Sequence, residues 1–127
     1  MVGYRDYESL FPEVCEGGVW HTWGLPDKVA RTIRIVKEHP ATRGFDPGDE
    51  FKHTYPDHVQ IVPGEEGVVL VRDRVHDAAV VVAGEPGRGR FIADGTIDAN
   101  AEEEDHVIEG PELRLLLNYL RWLTGGD

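Results

Sequence analysis

One cysteine and six histidines are the side chains of this 127-residue sequence best suited to nucleophilic, acid–base or metal chemistry. Cys15 is the sole thiol. Acyl transfer through it would need a strained strand-to-helix turn, with a histidine held by a carboxylate in reach. Val14-Cys15-Glu16-Gly17 lacks the glycine two positions before the cysteine that such a turn would want. Cys15 is therefore not expected to be a nucleophile, and no catalytic residue is assigned. His21, His39, His53 and His58, with the carboxylates of the 49–57 region, supply enough nitrogen and oxygen for a zinc-like or manganese-like ion. His53 and His58 have Asp57 between them, but no HxH or HExxH spacing occurs. No metal or other cofactor is expected. The run Ala101-Glu102-Glu103-Glu104-Asp105-His106 lacks the alternate-position ligands and central glycine of a calcium loop and reads as a solvated acidic loop.

Two stretches offer binding chemistry. In the first, Gly17-Gly18 leads into Val19-Trp20-His21-Thr22-Trp23-Gly24, read as a loop that packs its tryptophans over a core edge or lines a pocket. In the second, Ala41 to Asp57 is long and irregular, with Asp46-Pro47-Gly48 as a turn and Asp49, Glu50, His53, Tyr55 and Asp57 along it. A loop of that length in a compact domain is more often functional than padding.

The elements that must position these residues follow from pattern. Asp6 to Phe11 reads as one helical turn stopped by Pro12. Ala30 to Lys37 alternates Thr32 and Arg34 with Ile33 and Ile35, the period of a strand with one buried face, and His39-Pro40 stops it. Val59 to Val62, Gly67 to Val71, Ala78 to Ala83 and Arg90 to Asp94 read as further strands, with Arg72 to Asp77 a polar connection. Gly84 to Gly89 has no following Lys-Ser/Thr and forms a hairpin turn rather than a phosphate cradle. Pro111 to Leu123 is the strongest helix, with proline in its first turn and Gly125-Gly126 at its end. Arg114, Asn118 and Arg121 share one narrow stripe, and leucines, Tyr119 and Trp122 cover most of the rest. So wide an apolar face predicts burial on two sides, with Leu116 and Leu120 covered in the native assembly. Ile33, Ile35, Val59, Ile61, Val68, Leu70, Val80, Val82 and Ile92 are the expected core of the sheet.

Composition bounds the partners. The length suits one domain, 1–127, with a real core. A formal charge of −11, from 24 acidic against 13 basic residues, repels nucleic acid. There are ten arginines and only Lys28, Lys37 and Lys52, a balance associated with proteins from a high-salt cytoplasm. The N-terminal residues show no charged-then-apolar signal pattern and no run approaches a membrane span, so a cytoplasmic location is expected. A single cysteine suits a reducing compartment.

Four pieces of the chain, in order, resemble one family. LFPEVCEGGVWH resembles a glycine pair with an aromatic residue and a nearby histidine, and IRIVKEHPATRGF a His-Pro followed by Gly-aromatic. Asp49-Glu50 matches an Asp-Glu pair before an aromatic residue, and GEPGRGR with PELRLLLNYLRWLTGG looks like a carboxy-terminal strand and helix. Together they are similar to the carboxy-terminal half of the ThuA-like (trehalose utilisation) proteins, within the class I glutamine amidotransferase-like group. The resemblance implies an α/β fold, a partial flavodoxin-like sheet with the C-terminal helix packed on it. It implies a role in carbohydrate metabolism, of trehalose or a keto-sugar, with a small sugar bound among His21, Trp23, His39, Asp49 and Glu50. Tryptophan faces and carboxylates suit a sugar. Where the family pattern would place a histidine after the GRGR strand, this chain has Asp94-Gly95-Thr96-Ile97-Asp98, so glutaminase activity is not expected. The alternative is a non-catalytic oligomerisation or partner-binding module derived from such a domain. Half of a flavodoxin-like sheet leaves an unpaired edge, which predicts a homodimer or a complex with a separately encoded amino-terminal half.

Overall fold

The structure is a computed structural model that describes residues 10–22, 31–54, 58–96 and 108–126, with the backbone alone at 19–22. Trp23, residues 6–9 of the expected helical turn, Tyr55, Asp57 and the acidic run 101–106 lie outside the described residues.

The described chain forms seven strands, a short 3-10 turn and one α-helix: β1 Cys15–Thr22, β2 Thr32–Ile35, the 3-10 turn Pro40–Thr42, β3 Glu50–Lys52, β4 His58–Pro63, β5 Val68–Asp73, β6 Ala79–Gly84, β7 Phe91–Asp94 and α1 Gly110–Leu123. Five strands make one sheet in the order β3-β2-β5-β6-β7, and β1 pairs with β4 in a two-stranded ribbon. Every described pairing is antiparallel. The mixed α/β class and the helix packed on a sheet therefore stand, whereas the parallel strands implied by a flavodoxin-like sheet are not among those described. The chain order explains the difference in part: β5, β6 and β7 follow one another through short turns, and consecutive strands so joined can only pair antiparallel.

β6 is the middle of the molecule. All six of its residues are buried, because it contributes to two apolar clusters at once. Val80, Val81 and Ala83 belong to the cluster that holds Ile33, Ile35, Leu70 and the helix residues Leu115, Tyr119 and Trp122. Ala79 and Val82 belong to the second, with Val14, Cys15, Ile61 and Ala93. A strand covered on both faces reads as a continuous apolar run, as this one does. The ribbon is tied to the large sheet at Gly95, whose amide donates to the Val80 carbonyl (2.9 Å) and whose carbonyl accepts from the Val59 amide (2.8 Å). A β-carbon at position 95 would lie 2.1 Å from the Val59 carbonyl oxygen, so only glycine lets the two backbones meet there.

Several expectations change. The Gly17-Gly18 and Trp-His stretch is strand β1, not a loop. It is bulged, with register shifts between Cys15 and Gly17 and between Gly18 and Trp20, and the bulges blurred the alternation that identifies a strand. The irregular 41–57 stretch contains strand β3, which pairs with β2 through Ile33 opposite Phe51. Of the expected core, Ile33, Ile35, Ile61, Leu70, Val80 and Val82 are buried, while Val59, Val68 and Ile92 are half-buried. On β4 the polar His58 and Gln60 face inward instead.

The helix buries Glu112, Leu115, Tyr119 and Trp122, spaced at the three- and four-residue steps of one face. Leu116 is half-buried against the core. Leu120 is exposed in the single chain. The helix ends as its glycines predict: Gly125 adopts φ 99°, and the Gly125 and Gly126 amides donate to the Trp122 and Arg121 carbonyls.

Candidate functional site

The candidates for sugar binding are placed on different elements. His21 lies on β1, its backbone opposite Val59 of β4, and Trp23 is outside the described residues. His39 precedes the 3-10 turn and caps it, its Nδ1 accepting from the Ala41 amide at 3.0 Å. Its ring meets Trp122 edge-on at 4.8 Å between centroids. Burial pushes its pKa below the ordinary histidine value, with Arg90 and Lys37 adding to the fall and Glu85 opposing it. Asp49 closes the turn it was expected to follow, its Oδ2 accepting from the Asp46 amide at 2.8 Å. Glu50, on β3, faces Arg74 at 3.7 Å. His39 lines an open depression of about 570 Å³ bordered by Glu38, Thr42, Arg43 and Asp46 among others.

Cys15 is fully buried in the cluster between the ribbon and the sheet. Burial raises its thiol pKa, the effect being only partly offset by its hydrogen bond to the Gly17 carbonyl. A protonated, enclosed thiol lacks the electropositive, accessible setting of a reactive cysteine.

The polar groups that the fold does bring together are elsewhere. β4 turns His58 and Gln60 inward, and both reach Asp73 at the end of β5: His58 Nε2 at 3.2 Å and Gln60 Nε2 at 3.1 Å from Oδ2. The His76 amide donates to Asp73 Oδ1 at 2.6 Å, and the half-exposed His76 ring stands 3.7 Å from Oδ2. His53 Nε2 lies 3.0 Å from His58 Nδ1. Burial alone would raise the Asp73 carboxyl, but the hydrogen bonds from His58, the His76 amide and Gln60, with the His58 charge, hold it at about 2. Paired this closely, the group orders the packing of β4 on β5. Among the described residues no group of three or more His, Cys, Asp or Glu is arranged to hold a metal ion.

A second buried network fastens α1. Tyr119 Oη donates to Asp94 Oδ2 at 2.8 Å, and the Thr96 amide and hydroxyl both donate to Oδ1 at 2.7 Å. Glu112 accepts from the Thr54 amide and hydroxyl. Burial raises the pKa of Asp94 above that of an ordinary carboxyl despite those three donated bonds. It raises Glu112 likewise, with the Asp94 charge adding to it. Burial and the neighbouring Asp94 carry Tyr119 well above a normal phenol. Sequence reading missed both networks, since Asp73, Asp94 and Glu112 sit in strand ends and a helix turn with no motif around them. The alternation along β4 pointed the other way, to Val59 and Ile61 as its inward residues, so nothing in the sequence marked His58 and Gln60.

The outer face of α1 is apolar. Leu113, Leu117, Leu120 and Leu123 are 39%, 53%, 53% and 40% exposed, and they form a stripe beside the buried face. Arg114 flanks the stripe, its guanidinium over the Phe45 ring at 4.5 Å, and Asn118 beyond it donates to the Arg43 carbonyl at 2.8 Å. No helix among the described residues is long and apolar enough to cross a membrane. Comparison of the chain with protein-family models, with curated proteins and with solved structures finds no match in any of the three.

Proposed function

We propose that this chain is a partner-binding module, without glutamine amidotransferase activity, whose contact surface is the outer stripe of α1. The stripe of four exposed leucines carries the reading. Singly exposed leucines are ordinary on a protein surface, but a contiguous row at helical spacing is the form in which one helix presents itself to another. The helix is also held firmly enough to act as a docking element. Its inner face is anchored by Leu115, Tyr119 and Trp122, and Arg90 Nη1 ties down the Trp122 and Gly126 carbonyls at 2.6 and 3.0 Å. Burial of Cys15 supports the absence of thiol chemistry. The test is size-exclusion of the tagged chain in an extract of its native cells, beside a Leu117→Glu variant. The wild type is expected well above the 14.2 kDa of one chain and the variant shifted downward. Elution of both at the mass of one chain would refute the reading.

A second reading is favoured by the cleft at His39. Its volume is that of a small-molecule site, and Glu38, Thr42 and Asp46 offer hydrogen-bonding groups beside the imidazole. This fits the sugar ligand expected of a ThuA-like domain linked to trehalose or keto-sugar metabolism. Calorimetric titration with trehalose, repeated on Glu38→Gln, tests it: no heat with the wild type at millimolar sugar removes this reading.

A further inference from the structure

The partner-binding reading leaves open what sits on α1, and the inference here rests on that reading. We infer that the occupant is a second copy of this chain, its α1 packed antiparallel on the first about a two-fold axis near Leu117. Three observations select it. The first is charge. The chain carries −11 overall, but α1 contains Glu112 against Arg114 and Arg121, so this helix is a place where a second acidic copy is not repelled.

The second is the polarity of charge along the helix. The N-terminal end has Glu109 at the cap and Glu112 in the first turn, while Arg121 lies in the last turn. Antiparallel pairing about Leu117 sets Leu113 of one copy beside Arg121 of the other. Antiparallel pairing therefore brings the Glu109 end of each copy to the Arg121 end of the other, twice by symmetry. Parallel pairing would instead set Glu109 on Glu109 and Arg121 on Arg121.

The third is area. The four leucines expose on the order of 300 Å² of apolar surface, already the size of the largest patch on an ordinary monomer. A two-fold contact uses the patch twice, burying about 600 Å², and a polar rim including Glu109 and Arg121 brings the total near the lower edge of specific interfaces, about 1,200 Å².

Sedimentation equilibrium of the purified chain in about 0.15 M salt tests this. The wild type is expected to be a dimer that dissociates at micromolar concentration. Leu117→Glu, which sets two carboxylates on the axis, is expected to weaken association by about 100-fold or more. Leu120→Glu, equally exposed, serves as an independent second variant, and unchanged circular dichroism shows that both still fold. Arg121→Glu and Glu109→Arg are each expected to weaken the dimer by several-fold, while an equimolar mixture of the two restores it, because only their heterodimer has opposite charges facing at both ends. A wild type that stays monomeric at about 100 μM, a dimer that survives both leucine variants, or a mixture no stronger than its parents overturns the inference. A purified monomer that is still found in a large complex in native extract would overturn self-pairing while leaving the partner-binding reading intact. A chain of monomer mass in both settings would remove the two together.

Discussion

Asp73 shows how a single residue reports on the packing around it. It is fully buried and accepts from His58, Gln60 and the His76 amide. Its carboxyl titrates at about 2, below the 3.8 of a free aspartate. A depressed folded-state pKa means that the unfolded chain binds more protons between those two values. The stability contributed, about 2 kcal/mol, is therefore complete above pH 4 and lost as pH falls from about 4 toward 2. Asp73→Asn is expected to lower stability by about that amount at neutral pH and to flatten that acid limb, as read from urea denaturation at a series of pH values. Asp94 behaves in the opposite sense. Its pKa is raised, so its contribution is complete below the ordinary carboxyl range and declines as pH rises through its folded value. Asp94→Ala leaves the Tyr119 hydroxyl and the Thr96 donors unsatisfied and is expected to cost about 1–3 kcal/mol. Cys15, enclosed and with a raised pKa, is expected to react with a maleimide only as fast as the protein unfolds, a rate measurable by quenched alkylation in increasing urea.

At the scale of the element, α1 has two apolar faces with different fates. Leu115 is buried among Ile33, Leu70 and Val80, whereas Leu117 lies two residues on and faces out. Leu115→Ala is expected to cost about 2–5 kcal/mol, by lost transfer energy and a cavity. Leu117→Ala should leave the monomer within about 0.5 kcal/mol of wild type. Equal costs for the two, in thermal melts at a concentration where the chain is monomeric, would mean that the helix is rotated from the face described. The polar ties of the same helix lie near both of its ends, Glu112 to Thr54 and Tyr119 to Asp94 on β7. A helix held near both ends can bear a contact on its outer face without rolling.

For the whole molecule the controlling quantity is charge. With 24 acidic and 13 basic residues, self-repulsion opposes both folding and self-association, and salt screens it over a shrinking distance. The melting temperature is expected to rise between 0.1 M and 2 M KCl by scanning calorimetry. A fall or no change would mean that repulsion is not what limits stability.

Helix α1 and strands β2, β4, β5, β6 and β7 were legible because local pattern settles them. Proline in the first turn, paired glycines at the end and leucines between define a helix without reference to the rest of the chain. The apolar run of β6 likewise announced a strand, and the fold added that both of its faces are covered. Bulges in β1 broke the period of two, and β3 is three residues long, so neither gave a signal above that of a loop. The parallel sheet implied by resemblance was a statement about pairing, which lies between segments and not within any of them. So was the candidate site. His39, Asp49 and Glu50 share a stretch of sequence, yet the turn at Asp46 and the pairing of β3 with β2 send them to separate tasks. His58 and Asp73, fifteen residues apart, meet because β4 folds inward onto the sheet. The sequence by itself determined α1 and strands β2, β4, β5, β6 and β7, and that the apolar face of α1 is unusually wide. Only the tertiary structure decided which of its leucines are left exposed, because that depends on how the helix is rotated over the sheet, and Thr54 together with Arg90 and Asp94 at the two ends of β7 fix that rotation from segments far from the helix in the chain.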